Sequence, residues 1–419
     1  MEPWNEITCY AGLDWASDHH DLVAVDQQGK MVRQFRIAHT GDGWKELAAQ
    51  LRGLGKVAVA VETNRGFTIE RLLASGVTVY PVNPKSAERY RERKAPGGVK
   101  NDQLDAWSLA DALRLDGHGW KPLAAEDPLI TELRLLTRDE VALIEQRTAL
   151  VNQLIAALRD YYPAALEAFD DWTLSGAWAF VERFPTPQSL VKAGKRSWEK
   201  FLHTHRLYRP ETCERRLEIF ARADQFTGSA ALTAAHSLLA TTLAAMLGTL
   251  EAQLKLYRQR IEELFAQHPD HDLFGSLPGA AAKLAPRLLA ELGSDRTRFE
   301  TPQSLQCYAG TAPVTIQSGQ MIKRMIRHAC HHGLRATVHL WANTSRLKCA
   351  WAQAYYQAHR DKGKSHACAL RCLGQRWLKI LWKMWQTKTP YDAELHAKNQ
   401  QKHGSWVLKL EPVNAAKPA

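Results

Sequence analysis

One short apolar segment constrains the fold of this chain more than any other feature. Residues Val57-Ala58-Val59-Ala60-Val61 form an uninterrupted run of small and β-branched side chains. Such a run, without polar alternation, predicts a strand buried on both faces, as in parallel sheets covered by helices. Strand-like and helix-like patterns alternate on either side of it, so the sequence predicts an α/β domain at the N-terminus.

The expected elements of this domain form a three-strand meander followed by alternating helices and strands. The predicted strands are residues 8–14, 22–25, 31–37, 57–61 and 77–82, and the predicted helices are residues 43–54 and 67–75.

The pattern becomes helical after Trp120-Lys121-Pro122. Asp127 before Pro128 predicts a helix start, and two heptad registers follow, from Leu129 to Ala157 and from Leu243 to Leu264. Such seams bury against another helix, either in an antiparallel hairpin of the same chain or in a second protomer. We therefore expect an α/β domain at residues 1–125, a helical coiled-coil or linker region at 126–270, and a mostly helical C-terminal domain at 271–419. The last of these is predicted to stay helical to about residue 386.

Basic charge is concentrated near the C-terminus. Residues 320–419 hold 18 Lys and Arg against 4 Asp and Glu, a net charge of +14, whereas the rest of the chain is slightly acidic. This excess favours a nucleic-acid partner. The same stretch holds six tryptophans, which predict helix core, with base stacking as the alternative.

Other features bear on location. The N-terminus is acidic and polar, unlike a secretory signal, and seven irregularly placed cysteines suit free thiols in a reducing cytosol. No run of about 18 apolar residues suggests a bilayer span. We expect a cytoplasmic, nucleoid-associated protein with no membrane partner.

Four carboxylates stand at the ends of predicted elements. Asp14 ends the first strand and Glu62 ends the apolar strand, at the sheet edge where sites form. Asp102 and Asp105 open a helix capped by Asn101, and their spacing of three puts them on one face. Converging carboxylates repel unless a cation neutralises them, and hard oxygen ligands suit one or two Mg²⁺ ions, with Mn²⁺ as a substitute. Taken singly, each is more readily explained as an N-cap or a surface charge, and the pattern of all four favours a metal site.

Three motifs carry a family resemblance. The order strand-Asp, meander, strand-Glu, then Asn-Asp-x-x-Asp-Ala on a late helix resembles the RuvC-like branch of the ribonuclease H fold. The motifs are Val61-Glu62-Thr63-Asn64-Arg65-Gly66-Phe67, Tyr80-Pro81-Val82-Asn83-Pro84 and Lys100-Asn101-Asp102. Together they resemble the DEDD transposases of bacterial insertion sequences, closely over residues 7–125. The resemblance implies that Asp14, Glu62, Asp102 and Asp105 are catalytic and bind Mg²⁺.

The C-terminal part carries further landmarks of that family. Leu277-Pro278-Gly279-Ala280 resembles the start of a helix-hairpin-helix, whose amides receive a phosphate, although alanine replaces the usual second glycine. Tyr308-Ala309-Gly310, Ala312-Pro313 and Gln317-Ser318-Gly319 resemble the motif around the family's catalytic serine. The resemblance implies that Ser318 attacks phosphorus and forms a phosphoserine link to DNA.

Basic residues follow the serine at what reads as helical spacing. Lys323, Arg324, Arg327 and Arg335 are candidates for gripping the DNA backbone or the transferring phosphoryl group, with ordinary helix-surface charge as the alternative. Two His and Cys groups, around His328 to His332 and around His366 to Cys372, lack the paired ligand spacing of structural zinc sites.

The resemblance implies a transposase that cuts and rejoins double-stranded donor and target DNA. It also implies a bridge-like non-coding guide RNA, and a dimer of dimers in which the serine of one protomer meets the carboxylates of another. One alternative is a RuvC-like junction resolvase or nuclease that uses water as the nucleophile. Another is a non-catalytic nucleic-acid-binding protein. A sugar-kinase-like ATPase needs a glycine-rich phosphate loop after the first strand, and Asp14-Trp15-Ala16-Ser17 has none.

Overall fold

The computed structural model describes residues 4–409 apart from residues 96, 99 and 100. Lys100 of the predicted motif and residues 410–419 of the predicted C-terminal domain lie outside the described residues. The chain forms two compact units, which divide after Glu126.

A five-stranded sheet forms the centre of the first unit. Its strands are β1 (Cys9–Trp15), β2 (His19–Asp26), β3 (Met31–Ala38), β4 (Val57–Val61) and β5 (Thr78–Pro81). They lie in the order β3-β2-β1-β4-β5. The β1–β2 and β2–β3 pairs are antiparallel, whereas β1–β4 and β4–β5 are parallel. The helices of this unit are α1 (Gly41–Arg52), α2 (Phe67–Ala74), α3 (Pro84–Lys94) and α4 (Asp102–Asp116).

Helices cover both faces of this sheet, because alternate residues of its strands point to opposite sides. Leu13 and Val59 pack on the face that meets Trp44 of α1. Tyr10 joins the other core, which includes Leu109 of α4. All five residues of β4 are buried, and this confirms the predicted buried strand and the α/β class.

The second unit is built mainly from helices. These are α5 (Pro128–Tyr161), α6 (Pro163–Ala168), α7 (Ser175–Arg183), α8 (Pro187–Thr204), α9 (Pro210–Ala221), α10 (Ala230–Gln267), α11 (His271–Gly275), α12 (Ala281–Leu292), α13 (Pro302–Tyr308), α14 (His332–Lys348), α15 (Ala350–Asp361), α16 (His366–Thr387) and α17 (Ala393–Lys402). A β-hairpin, β6 (Val314–Ser318) and β7 (Met321–Met325), interrupts them. The prediction of continuous helix to residue 386 is therefore wrong in this stretch, because Gly319 adopts a φ of +56° and turns the chain back.

The two predicted heptad seams meet each other within the chain. Helices α5 and α10 run antiparallel. Arg147 Nη1 lies 2.6 Å from Glu251 Oε2 near the middle of the pair, and Arg260 Nη2 lies 2.7 Å from Glu132 Oε1 near one end. Of the two arrangements that the seams allowed, the structure contains the intramolecular hairpin. Asp127 caps α5 by accepting from the amide of Leu129, as predicted.

Helix α10 also bears on the expectation that no segment can span a bilayer. It is long and apolar enough to cross a membrane by length and composition alone, so that expectation does not hold on those criteria. A helix of this kind is weak evidence for a membrane span, and the apolar seam of α10 packs against α5.

Tryptophans fill the interior of the second unit at both ends of the long hairpin. Trp341, Trp377 and Trp385 are fully buried in one core. In a second core, Trp178 Nε1 donates to the carbonyl oxygen of Trp172 at 2.7 Å. These contacts confirm the prediction that the C-terminal tryptophans are mainly core.

Candidate active site

Strand pairing brings three acidic residues to one edge of the sheet. Asp14 lies directly opposite Asp21 in the antiparallel β1–β2 pair. In the parallel β1–β4 pair, Leu13 lies opposite Val61, so Asp14 and Glu62 leave the sheet at the same level. This is the carboxyl edge of the parallel strands, where the sequence predicts a site.

A missing side chain lets helix α4 approach this edge. A Cβ atom built on Gly12 would lie 1.9 Å from the carbonyl oxygen of Ala106, so only glycine permits this contact. Gly12 and Asp14 share one face of β1, and Asp105 directly precedes Ala106. The close approach therefore brings the first turn of α4 to Asp14. Asn101 caps that turn by accepting from the amide of Leu104 at 2.7 Å, as predicted.

The pKa of Asp14 responds to the charges of the three other predicted carboxylates. Its pKa is raised from 3.8 to about 6, first by burial and then by the negative charges of Asp105, Asp102, Glu62 and Asp21. The strand pairing and the contact at Gly12 bring the ends of β1 and β4 and the first turn of α4 to one edge of the sheet, where the charges of these residues act on Asp14.

The structure adds residues that the sequence analysis missed. Arg36 Nη2 donates to Asp21 Oδ2 at 2.8 Å and to Asp102 Oδ2 at 3.0 Å. His19 Nε2 lies 3.5 Å from Asp102 Oδ2, and Arg91 Nη1 donates to the buried Asp105 at 3.1 Å. The predicted second strand begins at residue 22 and so leaves out Asp21. The sequence signal that could have identified Asp21 is its position, because Asp14 and Asp21 lie equally far along the chain from the centre of the β1–β2 turn.

The donor set suits a hard divalent cation. Carboxylate oxygens are the ligands that Mg²⁺ prefers. Burial and the neighbouring negative charges, which raise the pKa of Asp14, both disfavour its charged form, and a cation offsets them. His19, Asp21 and Asp102 alone offer ligand atoms within 4.8 Å of one another, the one such group among the described residues. Arg36 donates to both oxygens of Asp21 and to one oxygen of Asp102, and Arg91 donates to one oxygen of Asp105. Both guanidinium groups therefore compete with a metal ion for these carboxylates.

Ser318 lies in the second unit, at the tip of the β6–β7 hairpin. It pairs with Met321 across a two-residue turn and is exposed. Residues that pair directly share one face of a ribbon. Alternate residues of one strand also share a face, so Ser318 lies on the face that carries Ile316 and Val314. This face is largely exposed.

The predicted helical spacing of the basic residues is wrong. Lys323 and Arg324 lie on β7, Arg327 lies in the loop that follows, and only Arg335 lies on a helix, α14. The spacing of three and four residues between them imitates a helix by coincidence. Both Lys323 and Arg324 are exposed. Lys323 pairs with Ile316 and so lies on the same face of the hairpin as Ser318, whereas Arg324 pairs with Thr315 and lies on the other face.

Arg327 and Arg335 brace the base of the hairpin. Arg327 Nε donates to the carbonyl oxygen of Ala312 at 3.3 Å, and Arg335 Nη2 donates to the carbonyl oxygen of Arg327. Gly310 has a φ of +66°, and a Cβ on it would lie 2.6 Å from Cys330 Sγ. The two chain segments that enter and leave the hairpin are thus held together by their own side chains.

A buried ion pair supports the same region. Arg138 Nη2 donates to Glu291 Oε2 at 2.8 Å, and His331 Nε2 lies 3.5 Å from that oxygen. Burial opposes the charge of Glu291, but the Arg138 hydrogen bond and the charge of His331 outweigh it and lower its pKa. The backbone amide of His331 donates to the carbonyl oxygen of Tyr308 at 2.7 Å, which ties this network to the segment before the hairpin.

Gly279 has a structural explanation within its own unit. Its φ is +76°, and a Cβ on it would lie 2.6 Å from the backbone nitrogen of Ser345. Thr344 Oγ1 also donates to the carbonyl oxygen of Gly279 at 2.7 Å. Glycine is required here for close packing on α14, and a role in phosphate binding stays a prediction.

The fold and the carboxylates define a class of protein. A sheet of order β3-β2-β1-β4-β5 with carboxylates after β1, after β4 and on a late helix is the arrangement of the RuvC-like branch of the ribonuclease H fold. Members of this class act on nucleic-acid phosphodiesters.

Comparison with known proteins narrows the class to a family. Residues 11–163 match a family model described as Transposase, and residues 271–357 match Transposase IS116/IS110/IS902 family. The mini-circle putative transposase for IS117 of Streptomyces coelicolor is 32% identical over 93% of this chain and 97% of its own length. The insertion element IS900 uncharacterized 42 kDa protein of Mycobacterium paratuberculosis is 28% identical over 91% and 96%. The chain belongs to the IS110 family of insertion-sequence transposases, which are enzymes that cut and rejoin DNA.

Proposed function

We propose that this transposase uses Asp14, Glu62, Asp102 and Asp105 to hold Mg²⁺, in one or two ions, and Ser318 as its nucleophile. The observation that carries the proposal is the strand pairing that brings Asp14 and Glu62 to one edge of the sheet, with the first turn of α4, which bears Asp102 and Asp105, held against β1 at Gly12. Burial, and then the neighbouring negative charges, raise the pKa of Asp14 to about 6. When bound, divalent ions stabilise charge on the attacking and leaving oxygens of a phosphodiester transfer.

The residues of the chain have distinct parts in the proposed reaction. The Ser318 Oγ forms a bond to phosphorus and gives up its proton, while a bond from phosphorus to a deoxyribose oxygen breaks and that oxygen takes a proton. The phosphoserine link conserves the bond energy, so a second hydroxyl can reverse the step and rejoin DNA. Lys323, exposed on the face of the hairpin that carries Ser318, supplies positive charge to the phosphate. Arg324, exposed on the other face, contacts the DNA backbone nearby.

The nucleophile can be tested by trapping the covalent adduct. A supercoiled plasmid carrying the ends of the element, incubated with protein and Mg²⁺ and then denatured, should give a protein–DNA adduct. Ser318→Ala should abolish it, whereas Thr315→Ala, on the other face of the same hairpin, should retain it. Cleavage that persists without adduct in Ser318→Ala would favour the resolvase alternative, in which water attacks.

The carboxylates are tested with the same substrate. Asp14→Asn and Asp102→Asn should lower cleavage by at least about 100-fold, which is the scale of losing an electrostatic group that stabilises a transition state. Unchanged cleavage in both variants would contradict the metal site and favour a structural role for the cluster.

We also propose a guide RNA and an oligomer. The resemblance to bridge-RNA-guided recombinases motivates the first, and the net charge of +12 on residues 127–419 supports it. Sequencing the nucleic acid that co-purifies should return one discrete RNA, and bulk RNA or none would count against guidance.

If Ser318 acts on the carboxylates of another protomer, mixing the inactive Asp14→Asn and Ser318→Ala proteins should restore activity.

A further inference from the structure

A second site lies beside the carboxylates, on the opposite face of the same sheet edge. A cavity of about 240 Å³ opens there among the turn after β1, the end of β3 and the loop between β4 and α2. Its lining includes Trp15 and Thr63, which directly follow Asp14 and Glu62 in the chain. Successive side chains of a strand point to opposite faces, so Trp15 faces the cavity while Asp14 faces α4.

Exposed aromatic rings form the walls of this cavity. Trp15 is 47% exposed and Phe67 is 46% exposed, although rings of this size are usually largely buried. The backbone of Trp15 pairs with His20, but its indole has no hydrogen bond or ring contact with the other described residues. The cost of leaving two such rings in water at one cavity indicates a flat apolar occupant.

The walls are held rigid from behind. The Phe67 ring meets His39 and Trp44 edge-on, with centroids 5.4 and 5.8 Å apart. His39 Nδ1 is 2.8 Å from Nε2 of the fully buried His20. Arg71 lies over the Phe67 ring at 4.7 Å from its centroid, which covers one ring face and leaves Trp15 as the open stacking surface.

Polar groups at the cavity narrow the identity of the occupant. Arg65 is exposed at the rim, and Ser17 and Thr63 offer hydroxyl groups. An aromatic surface with a nearby cation and hydrogen-bonding groups suits a nucleobase attached to a phosphate. The volume lies below the roughly 300 Å³ of ordinary small-molecule sites, so the cavity encloses one base rather than a whole nucleotide cofactor.

We infer that this cavity receives one unpaired base of the DNA strand whose phosphate lies at the carboxylates. The base stacks on Trp15 while Arg65 contacts the strand's backbone, and the scissile phosphate is thereby fixed at the other face of the sheet edge. This inference rests on the proposed function. Stacking tolerates any base, because every base has a π-face, so the cavity positions the strand without selecting its sequence.

Photo-cross-linking tests this inference without requiring cleavage. The full-length Glu62→Gln protein is irradiated with a short oligothymidylate carrying one 5-iodouracil, and cross-linked peptides are mapped by mass spectrometry. Cross-links should map to Trp15 or Phe67. Adding Trp15→Ala should lower that yield by at least about five-fold, the lower end of the effect of losing one stacked base. Trp15→Phe should retain it, as should the matched control Phe226→Ala, a ring 77% exposed in the second unit.

The outcomes separate this inference from the proposed function. Cross-links that map only elsewhere, or equal yields in Trp15→Ala and Phe226→Ala, would overturn the base site even if cleavage still required the carboxylates. A ribonucleotide strand that cross-links at Trp15 better than the deoxyribonucleotide strand would also overturn it, because the cavity would then serve RNA. If the wild-type protein forms no covalent adduct with DNA, that result bears on the proposed function alone.

Discussion

At the scale of single residues, the carboxylate of Asp14 sets the balance between stability and metal binding. Its pKa of about 6 in the folded chain lies above its ordinary value of 3.8. The folded state therefore binds more protons than the unfolded state between these values, so this group makes folding less favourable as the pH rises through that window. Without a cation the penalty is complete above about pH 6.

Neutralising Asp14 should therefore stabilise the protein at high pH. In EDTA at pH 8, Asp14→Asn should raise the free energy of unfolding by on the order of 1 kcal/mol, after discounting for partial exposure. At about pH 3 the two proteins should be similarly stable, because Asp14 is then largely protonated in both folded and unfolded states. Urea unfolding at both pH values measures this, and a destabilised Asp14→Asn protein at pH 8 would contradict the repulsion.

Arg36 acts as a cation within the metal-free site. It binds Asp21 and Asp102 together, so Arg36→Ala should lower stability in EDTA and increase the stabilisation gained on adding Mg²⁺. Arg33→Ala, exposed on the same strand, is the matched control. Thermal unfolding with and without Mg²⁺ measures both effects, and equal responses of the two variants would exclude this role for Arg36.

The residues of the site were predictable to different degrees. The four carboxylates stand at strand and helix ends, which a sequence pattern reveals. Asp21 and Arg36 join them only through the pairing of β1, β2 and β3, and strand register depends on tertiary packing rather than on local sequence.

At the scale of elements, contact between β1 and α4 builds the carboxylate site. Because a Cβ on Gly12 would meet the backbone of Ala106 at 1.9 Å, Gly12→Ala should force α4 away from β1. We expect a loss of about 1–3 kcal/mol in stability, together with a loss of cleavage as Asp105 moves from Asp14. Gly41→Ala is the control, since a Cβ there meets nothing within 4 Å. Calorimetry and the cleavage assay together measure the effect, and retained cleavage would argue against the contact.

The base of the hairpin depends on a buried ion pair. Glu291→Gln removes the buried negative charge that pairs with Arg138, and breaking a buried ion pair typically costs about 3–5 kcal/mol. The lowered pKa of Glu291 means that its contribution is present above about pH 4.5 and disappears as the pH falls. The stability difference between wild type and Glu291→Gln should therefore shrink in acid. Denaturant unfolding from pH 7 to pH 3, with exposed Glu262→Gln as control, measures it. A difference independent of pH would contradict this account.

The predictions of helices and strands were correct where burial leaves a regular pattern of apolar residues in the sequence. The buried strand β4 and the seams of α5 and α10 show their packing directly in the sequence. The β6–β7 hairpin did not, because it is exposed and buries no regular face, and its basic residues happen to repeat at three and four positions.

At the scale of the whole molecule, charge and the candidate active site lie in different parts of the chain. Residues 1–126 hold 16 Lys and Arg against 17 Asp and Glu, whereas residues 127–419 carry the net charge of +12. The charge that attracts nucleic acid is therefore concentrated outside the domain that holds the carboxylates. The sequence alone reveals this difference in charge, because the net charge of a segment does not depend on how it folds.

The asymmetry predicts how DNA binding responds to salt. A fragment of residues 127–419, which contains two apolar cores of its own, should bind duplex DNA with nearly the same dependence on salt concentration as the full chain. That dependence reports the number of phosphates neutralised. Fluorescence anisotropy over a salt series measures both slopes, and a residue 1–126 fragment with the steeper slope would refute the prediction.

The antiparallel pair of α5 and α10 has a mechanical consequence. Helix α5 has 34 residues and is therefore about 51 Å long, and it contributes Leu133 to one core and Leu158 to the other. The helix pair fixes the distance between these two cores. Inserting seven residues into both helices increases that distance by about 10 Å and keeps the two cores in nearly the same relative orientation. Inserting two residues adds only about 3 Å but turns one core by about 200° relative to the other. Tolerance for changes of length in this region is therefore set by the helical repeat rather than by the number of residues gained.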